Sequence, residues 1–220
     1  MWIVALLIFA VFWVVAHFIP VIGPIALWLL MPAYYGGLFV AGRSIERGGE
    51  FELEHLFAGF KTRFASLMVI GLLLLVGIVV IVLVFMFFVG FGILSAVIAA
   101  GNTEDLLTIV AGSAMAIALG ALVALALMMP LMAAYWFAPA LVIMHGVPPM
   151  EAMKASFSAC LRNFIPFLLY STVMLVLCVV AIVPVFLGLL VWIPLSFTST
   201  YAAYRDIFTE DSRPAATVAV

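Results

Sequence analysis

The sequence predicts an all-α fold: a polytopic membrane helical bundle of six transmembrane helices, with two cytoplasmic interfacial helices and a parallel internal repeat. Composition is the first ground. Of 220 residues, 69% are hydrophobic and 8% charged, against about 45–50% apolar and about 25% charged in soluble domains. A water-facing globule of this size needs polar surface to cover itself. The excess therefore excludes a soluble enzyme, a nucleic-acid-binding domain and a disordered chain. The second ground is a series of long uncharged runs, most near the roughly 20 residues that cross a bilayer core. The third is charge placement. All eight Lys and Arg residues fall on one side of a six-span arrangement, the pattern that sets orientation in a membrane.

The first apolar run covers residues 2–19 and stops at Pro20-Val21-Ile22-Gly23-Pro24. Without a basic stretch ahead of it or a small-residue cleavage site after it, a retained helix is expected rather than a cleaved signal peptide. The second run, residues 25–45, ends among Arg43, Glu46, Arg47 and the Gly48-Gly49 pair. No charge lies between Arg63 and Glu104, and residues 65–99 read as one helix. Three further runs follow at residues 106–144, 164–182 and 185–204, the last two divided at Pro184. The run 106–144 is too long: 39 residues make roughly 58 Å of helix against a core of about 30 Å. Pro130 and Pro139 predict a kink or unwound turn within it. The remainder would project beyond the membrane or run along its surface.

With six spans, Arg43, Arg47, Lys61, Arg63, Lys154, Arg162, Arg205 and Arg213 share one side, and Glu104 and Asp105 lie on the other. Both termini are then cytoplasmic, and an odd span count would break the segregation. Residues 1–208 form a single transmembrane domain. Residues 209–220 are polar with Pro and Ala and predict a disordered tail.

The chain also resembles itself at a period near 100. Ala26-Leu27-Trp28-Leu29-Leu30-Met31-Pro32 parallels Ala124-Leu125-Ala126-Leu127-Met128-Met129-Pro130, and Leu53/Met153, Phe57/Phe157, Phe60/Cys160 and Phe64/Phe164 correspond, with Arg63/Arg162 one residue off. The repeat halves are about residues 25–100 and 124–200, each a span, a cytoplasmic segment and a span. Such copies are parallel and related by a pseudo-two-fold axis along the membrane normal.

In residues 50–64 the apolar Leu53, Leu56, Phe57, Phe60 and Phe64 fall at helical spacing, opposite Glu50, Glu52, Glu54 and Lys61. In residues 149–164 the matching face is Met150, Met153, Phe157, Leu161 and Phe164, behind the helix-starting pair Pro148-Pro149. Both read as interfacial helices; the plainer alternative is that they extend the adjoining spans. Gly112, Ala116, Gly120 and Ala124 form a small-residue ladder that admits a close helix neighbour. That neighbour is expected within the chain rather than across a dimer seam.

Little here carries chemistry. No Asp, Glu, Lys or Arg falls in the middle of a span, where buried charge marks ion and proton pathways. His17, His55 and His145 lie far apart without metal-ligand spacing. Ser113 and Ser171 have no His/Asp partner nearby in sequence, and there is no phosphate-binding Gly-Lys loop. Cys160 and Cys178, if both helical, stand roughly 27 Å apart, beyond disulfide reach, and read as reduced, inert thiols. No cofactor is expected, and the net charge of −2 offers nothing to nucleic acid. One constellation remains. Arg63 and Arg162 precede the third and fifth spans, whose N-termini present free N–H groups and partial positive charge. Asn163 is placed to cap the fifth span, and Arg205-Asp206 ends the sixth. Arg63, Arg162, Asn163 and Arg205 are therefore the expected contacts for anionic lipid headgroups. Alternatively these arginines only anchor helix ends and set topology.

Leu56-Phe57-Ala58-Gly59-Phe60, Trp136-Phe137-Ala138-Pro139-Ala140-Leu141-Val142, Ser156-Phe157-Ser158-Ala159-Cys160-Leu161-Arg162-Asn163-Phe164 and Tyr201-Ala202-Ala203-Tyr204-Arg205-Asp206-Ile207-Phe208 carry a resemblance over residues 20–208. The chain resembles an uncharacterised family of small six-span bacterial inner-membrane proteins. That family is distantly similar to the membrane domain attached to some glycerophosphodiester phosphodiesterases. The resemblance implies a multi-pass protein of the bacterial inner membrane and supplies no catalytic residue. It also implies a basic amphipathic arm ahead of the first span, which has no counterpart in these residues. The expected function is non-enzymatic: a scaffold or accessory subunit whose partners are membrane lipids, through anionic headgroups, or an unidentified protein at the cytoplasmic face. The alternative is a transporter or flippase-like protein for an apolar or amphipathic solute. Its axial cavity would be lined by Tyr135, Ser171, Thr172 or Ser196, with discontinuities at Pro130, Pro139, Pro184 and Pro194.

Overall fold

A computed structural model of the chain describes residues 2–20, 22–101, 106–184 and 187–209. Among these, all regular structure is helical: α1 (Trp2–His17), α2 (Ile22–Glu46), α3 (Leu53–Leu56), α4 (Ala58–Thr62), α5 (Phe64–Ala100), α6 (Leu106–Trp136), α7 (Ala138–His145), α8 (Pro149–Arg162), α9 (Phe164–Ile182) and α10 (Leu189–Phe208). The all-α expectation holds. Four stretches are long and apolar enough to cross a membrane: Ile22–Glu46, Phe64–Ile98, Val110–His145 and Phe164–Ile182. The first run supplies the shorter apolar helix Leu7–His17, and the continuous α10 carries the polar residues Ser196, Thr198, Ser199 and Thr200. Glu104, Asp105, Val185, Arg213 and the tail beyond Thr209 lie outside the described residues.

The chain divides into two compact units, Met1–Gly71 with Ala134–Val220, and Leu72–Ala133. In the first, α2 is the centre and packs against α1, α3, α4, α7 and α10. Glycines permit the approach. A Cβ on Gly37 would stand 2.3 Å from the Leu56 carbonyl oxygen, and one on Gly59 would stand 2.1 Å from that of Ala33. Leu56, Leu38, Ala41, Phe51 and Ala5 form the core beside them. The tyrosine Tyr34 donates to the Ala5 carbonyl at 3.1 Å and ties α1 to α2.

Of the two linker expectations, the first changes and the second keeps its single helix. Residues 50–64 are not one amphipathic helix but α3 and α4, broken at Phe57 (φ −93°, ψ 0°). Leu56 and Gly59, on either side of the break, both reach α2. The anticipated stripe splits accordingly, with Leu56 buried while Leu53, Phe57 and Phe64 stay exposed. The second linker forms α8 as one helix, but it buries Ala152, Met153, Ser156 and Ala159. Met150, Leu161 and Phe164 remain exposed. Small side chains bring α8 close to α7, and the bulky apolar face is left outward.

The long fourth run breaks at Phe137, two residues ahead of Pro139, and runs on without a break at Pro130. Pro130 lies inside α6, and Pro139 occupies the first turn of α7, where its missing N–H costs nothing. Phe137 N donates instead to the Ser156 hydroxyl at 3.0 Å. The helix α7 then closes on Gly146 in the left-handed region (φ 66°), a conformation glycine adopts freely.

The second unit is an antiparallel hairpin from α5 and α6. Gly112 faces Ala96, Ala116 faces Gly92, and Gly120 faces Phe88, so four residues down α5 match four up α6. The small-residue ladder thus packs within the chain. A Cβ on Gly92 would stand 2.1 Å from the Ala116 methyl. The outward side chains, such as Leu83, Phe87, Met115 and Leu122, are exposed and apolar. At 37 residues, α5 is roughly 55 Å long, well beyond the hydrocarbon thickness of a bilayer.

Candidate functional site

Polar groups in the first unit gather where α2, α7 and α10 end. Along α10, Tyr201, Tyr204 and Arg205 stand at i, i+3 and i+4, one helical face. The Tyr201 hydroxyl donates to Glu46 Oε2 at 2.5 Å, and Arg205 Nη1 donates to Glu46 Oε1 at 2.7 Å. Gly42 makes room for the Tyr201 ring, since a Cβ there would stand 2.8 Å from ring carbon Cδ2. The Tyr204 hydroxyl meets His145 Nε2 at 2.6 Å. Phe39 contacts both tyrosine rings, at centroid distances of 6.3 and 5.5 Å. The ring of Phe208 bridges Tyr204 and Phe137. One end of α10 therefore fastens α2 through Glu46 and α7 through His145.

Arg43 and Arg63 complete the region. Arg43 Nη1 reaches Sδ of Met144 at 3.7 Å. The Arg63 side chain lies over Gly146, with Nη2 2.7 Å from the position of a Cβ on that residue. Both cations thus stand at the C-terminal end of α7, where the helix dipole favours positive charge.

The expected headgroup residues do not share one place. Arg63 and Arg205 belong to this region, Arg63 against Gly146 and Arg205 on Glu46. Arg162 is exposed as the last residue of α8. Asn163 does not cap α9: its Nδ2 donates backward to the Ala159 carbonyl at 2.9 Å and closes α8 instead. Its backbone at φ −109°, ψ 30° resembles that of Arg63 at φ −134°, ψ 30°, and each residue turns a linker into a span. Sequence reasoning missed Glu46, Tyr201, Tyr204 and Arg43. The signal was present in Tyr201-Ala202-Ala203-Tyr204-Arg205, whose polar residues share a helical face.

The hydroxyls expected around a transport pathway are otherwise engaged. Thr172 and Ser196 donate to Leu168 and Ile193 carbonyls of their own helices, Ser171 is exposed, and Tyr135 packs edge-on against Tyr35 at 6.2 Å. Among the described residues no three His, Cys, Asp or Glu side chains are grouped to hold a metal ion. Cys160 and Cys178 are not joined in a disulfide. Burial pushes the Cys160 thiol up to about 11, which leaves little of the reactive thiolate at neutral pH. On the α3–α4 linker, the Lys61 ammonium hydrogen-bonds Glu54 and holds its carboxyl below the usual range. No family model, curated protein or solved structure matches the chain.

Proposed function

We propose that this protein is a six-span bacterial inner-membrane scaffold or accessory subunit, with both termini cytoplasmic, that contacts anionic phospholipid headgroups at its cytoplasmic face. The observation that carries the proposal is the convergence of Arg43, Arg63 and Arg205 at the joined ends of α2, α7 and α10. Away from those ends, the helices expose broad apolar surface. The resemblance to uncharacterised six-span inner-membrane proteins belongs to the same proposal.

The duplicated architecture is also part of it, and pairs of positions 98 or 100 residues apart support it. Gly37 meets Leu56 as Phe137 meets Ser156. Gly48 and Gly146 end their helices with positive φ, and Pro32 and Pro130 both sit inside helices. Tyr35 and Tyr135 touch each other, as equivalent residues do near a two-fold axis.

A transporter draws less support. Pro130 and Pro194 lie inside intact helices, whereas transport sites use unwound segments. The break at Phe137 is closed by Ser156. Native mass spectrometry of protein released from mild detergent tests the proposal: retained anionic phospholipid is expected. Absence of retained lipid, together with solute movement in proteoliposomes, would overturn it. Reporter fusions at Gly48 and Gly101 are expected in opposite compartments, and a shared compartment would overturn the six-span topology.

A further inference from the structure

We infer that Arg43 and Arg63 together form a single phosphate-ester site at the C-terminal end of α7, filled by the headgroup of an anionic phospholipid. This rests on the lipid-contact function proposed above and names the residues that make the contact. The two guanidinium groups come from different elements to one three-residue stretch. Arg43 reaches Met144, Arg63 lies on Gly146, and the intervening His145 is fixed by Tyr204. Neither arginine has a carboxylate partner among the described residues, where the ion pairs are Lys61–Glu54 and Arg205–Glu46. Glu46 shares the last turn of α2 with Arg43, but both its oxygens are engaged by Tyr201 and Arg205. The thioether that Arg43 does meet is a weak acceptor.

The end of α7 holds these cations without neutralising them. A helix C-terminus carries about half a negative elementary charge, and here Gly146 N and Val147 N already satisfy the Val142 and Leu141 carbonyls. Two full positive charges exceed that offset. A singly charged phosphodiester matches the remainder and accepts forked N–H donors from both arginines. The source is a lipid because apolar surface begins at once: Phe64 follows Arg63 in sequence and is 37% exposed, and Val69 on the same helix is 43% exposed. A phospholipid presents its headgroup and chains in that order.

The test uses the full chain in mild detergent, with phosphatidylglycerol binding followed by native mass spectrometry against phosphatidylcholine. Wild type is expected to retain phosphatidylglycerol preferentially. R43Q/R63Q is expected to lower its apparent affinity about tenfold or more, the size of one lost charge-assisted hydrogen bond. R47Q/K154Q removes the same charge elsewhere and is expected to stay within about twofold, as screened surface cations do. R43K/R63K keeps both charges and the fold but lacks the fork; weaker binding than wild type supports the site, and equal binding overturns it. Equal losses in R43Q/R63Q and R47Q/K154Q would overturn this site while leaving the lipid-contact function standing. Failure of wild type to retain any anionic lipid would overturn both. Competition by glycerol 1-phosphate or inorganic phosphate would overturn the lipid as the source of the phosphate.

Discussion

In the hairpin of residues 72–133, α5 and α6 meet through Gly92, Gly112, Gly120, Ala96 and Ala116, with no large polar side chain in the seam. In the other unit the close approaches at Gly37 and Gly59 are accompanied by directed bonds: Ser156 to Phe137, Tyr201 and Arg205 to Glu46, and Tyr204 with His145. Lipid tails are as apolar as leucine, so helix association in a membrane depends on contact and hydrogen bonding rather than on water exclusion. The close approaches of the hairpin are contacts between small residues. The larger unit adds polar bonds at helix ends, where they also fix which ends stand together.

The largest effect separating these modes is expected from G59L. Its Cβ would fall 2.1 Å from the Ala33 carbonyl oxygen, and backbone cannot yield as a side chain can. A loss of about 3 kcal/mol or more is expected, at the upper end of overpacking costs. It reads out as loss of monodisperse protein and a lower melting temperature. G90L is the control, because Gly90 is exposed with no neighbour within 4 Å, and it is expected to be neutral. G92L should cost about 2 kcal/mol by driving α5 and α6 apart at Ala116. If G92L proves as harmless as G90L, small-residue contact does not hold the hairpin.

S156A tests the directed bonds. It leaves the buried Phe137 N–H without its acceptor, a cost of about 1–3 kcal/mol, and is expected to lower the melting temperature without changing helix content. S156C, with a poorer acceptor in the same volume, is expected to fall between wild type and S156A. An unchanged melting temperature in S156A would show that the chain break at Phe137 needs no side-chain support.

Four of the apolar runs were legible as spans because apolar runs and charge boundaries are one-dimensional signals: residues 164–182 were bounded as α9 now is. Contacts that depend on approach distance were not. Periodicity assigned Leu53, Leu56, Phe57, Phe60 and Phe64 to one interfacial face, and of these only Leu56 is buried within the chain. The face of α8 that packs is its small-residue face. Proline spacing pointed to Pro130 and Pro139; the helix runs through Pro130 and opens just ahead of Pro139, where Ser156 replaces a missing helical partner. Arg63 and Arg205 were anticipated as site residues, but their partners Gly146 and Glu46 come from elements brought near only by folding.

The smallest effect is expected where the same kinds of charge sit fully in water. Glu54 and Lys61 pair at 2.8 Å with side chains 70% and 60% exposed, and such pairs contribute little. Their signature is pH dependence. The folded carboxyl of Glu54 is held below its ordinary range, first by the hydrogen bond from Lys61. The unfolded chain therefore takes up this proton first as the solution is acidified. The pair's contribution is present above the ordinary carboxylate range and is lost as pH falls through the folded value. E54Q should melt marginally below wild type at neutral pH, and the gap should close in acid or in high salt. A gap that widens on acidification would mean that Glu54 is stabilised in its protonated form, and that the linker owes its fold to Leu56 and Gly59 alone.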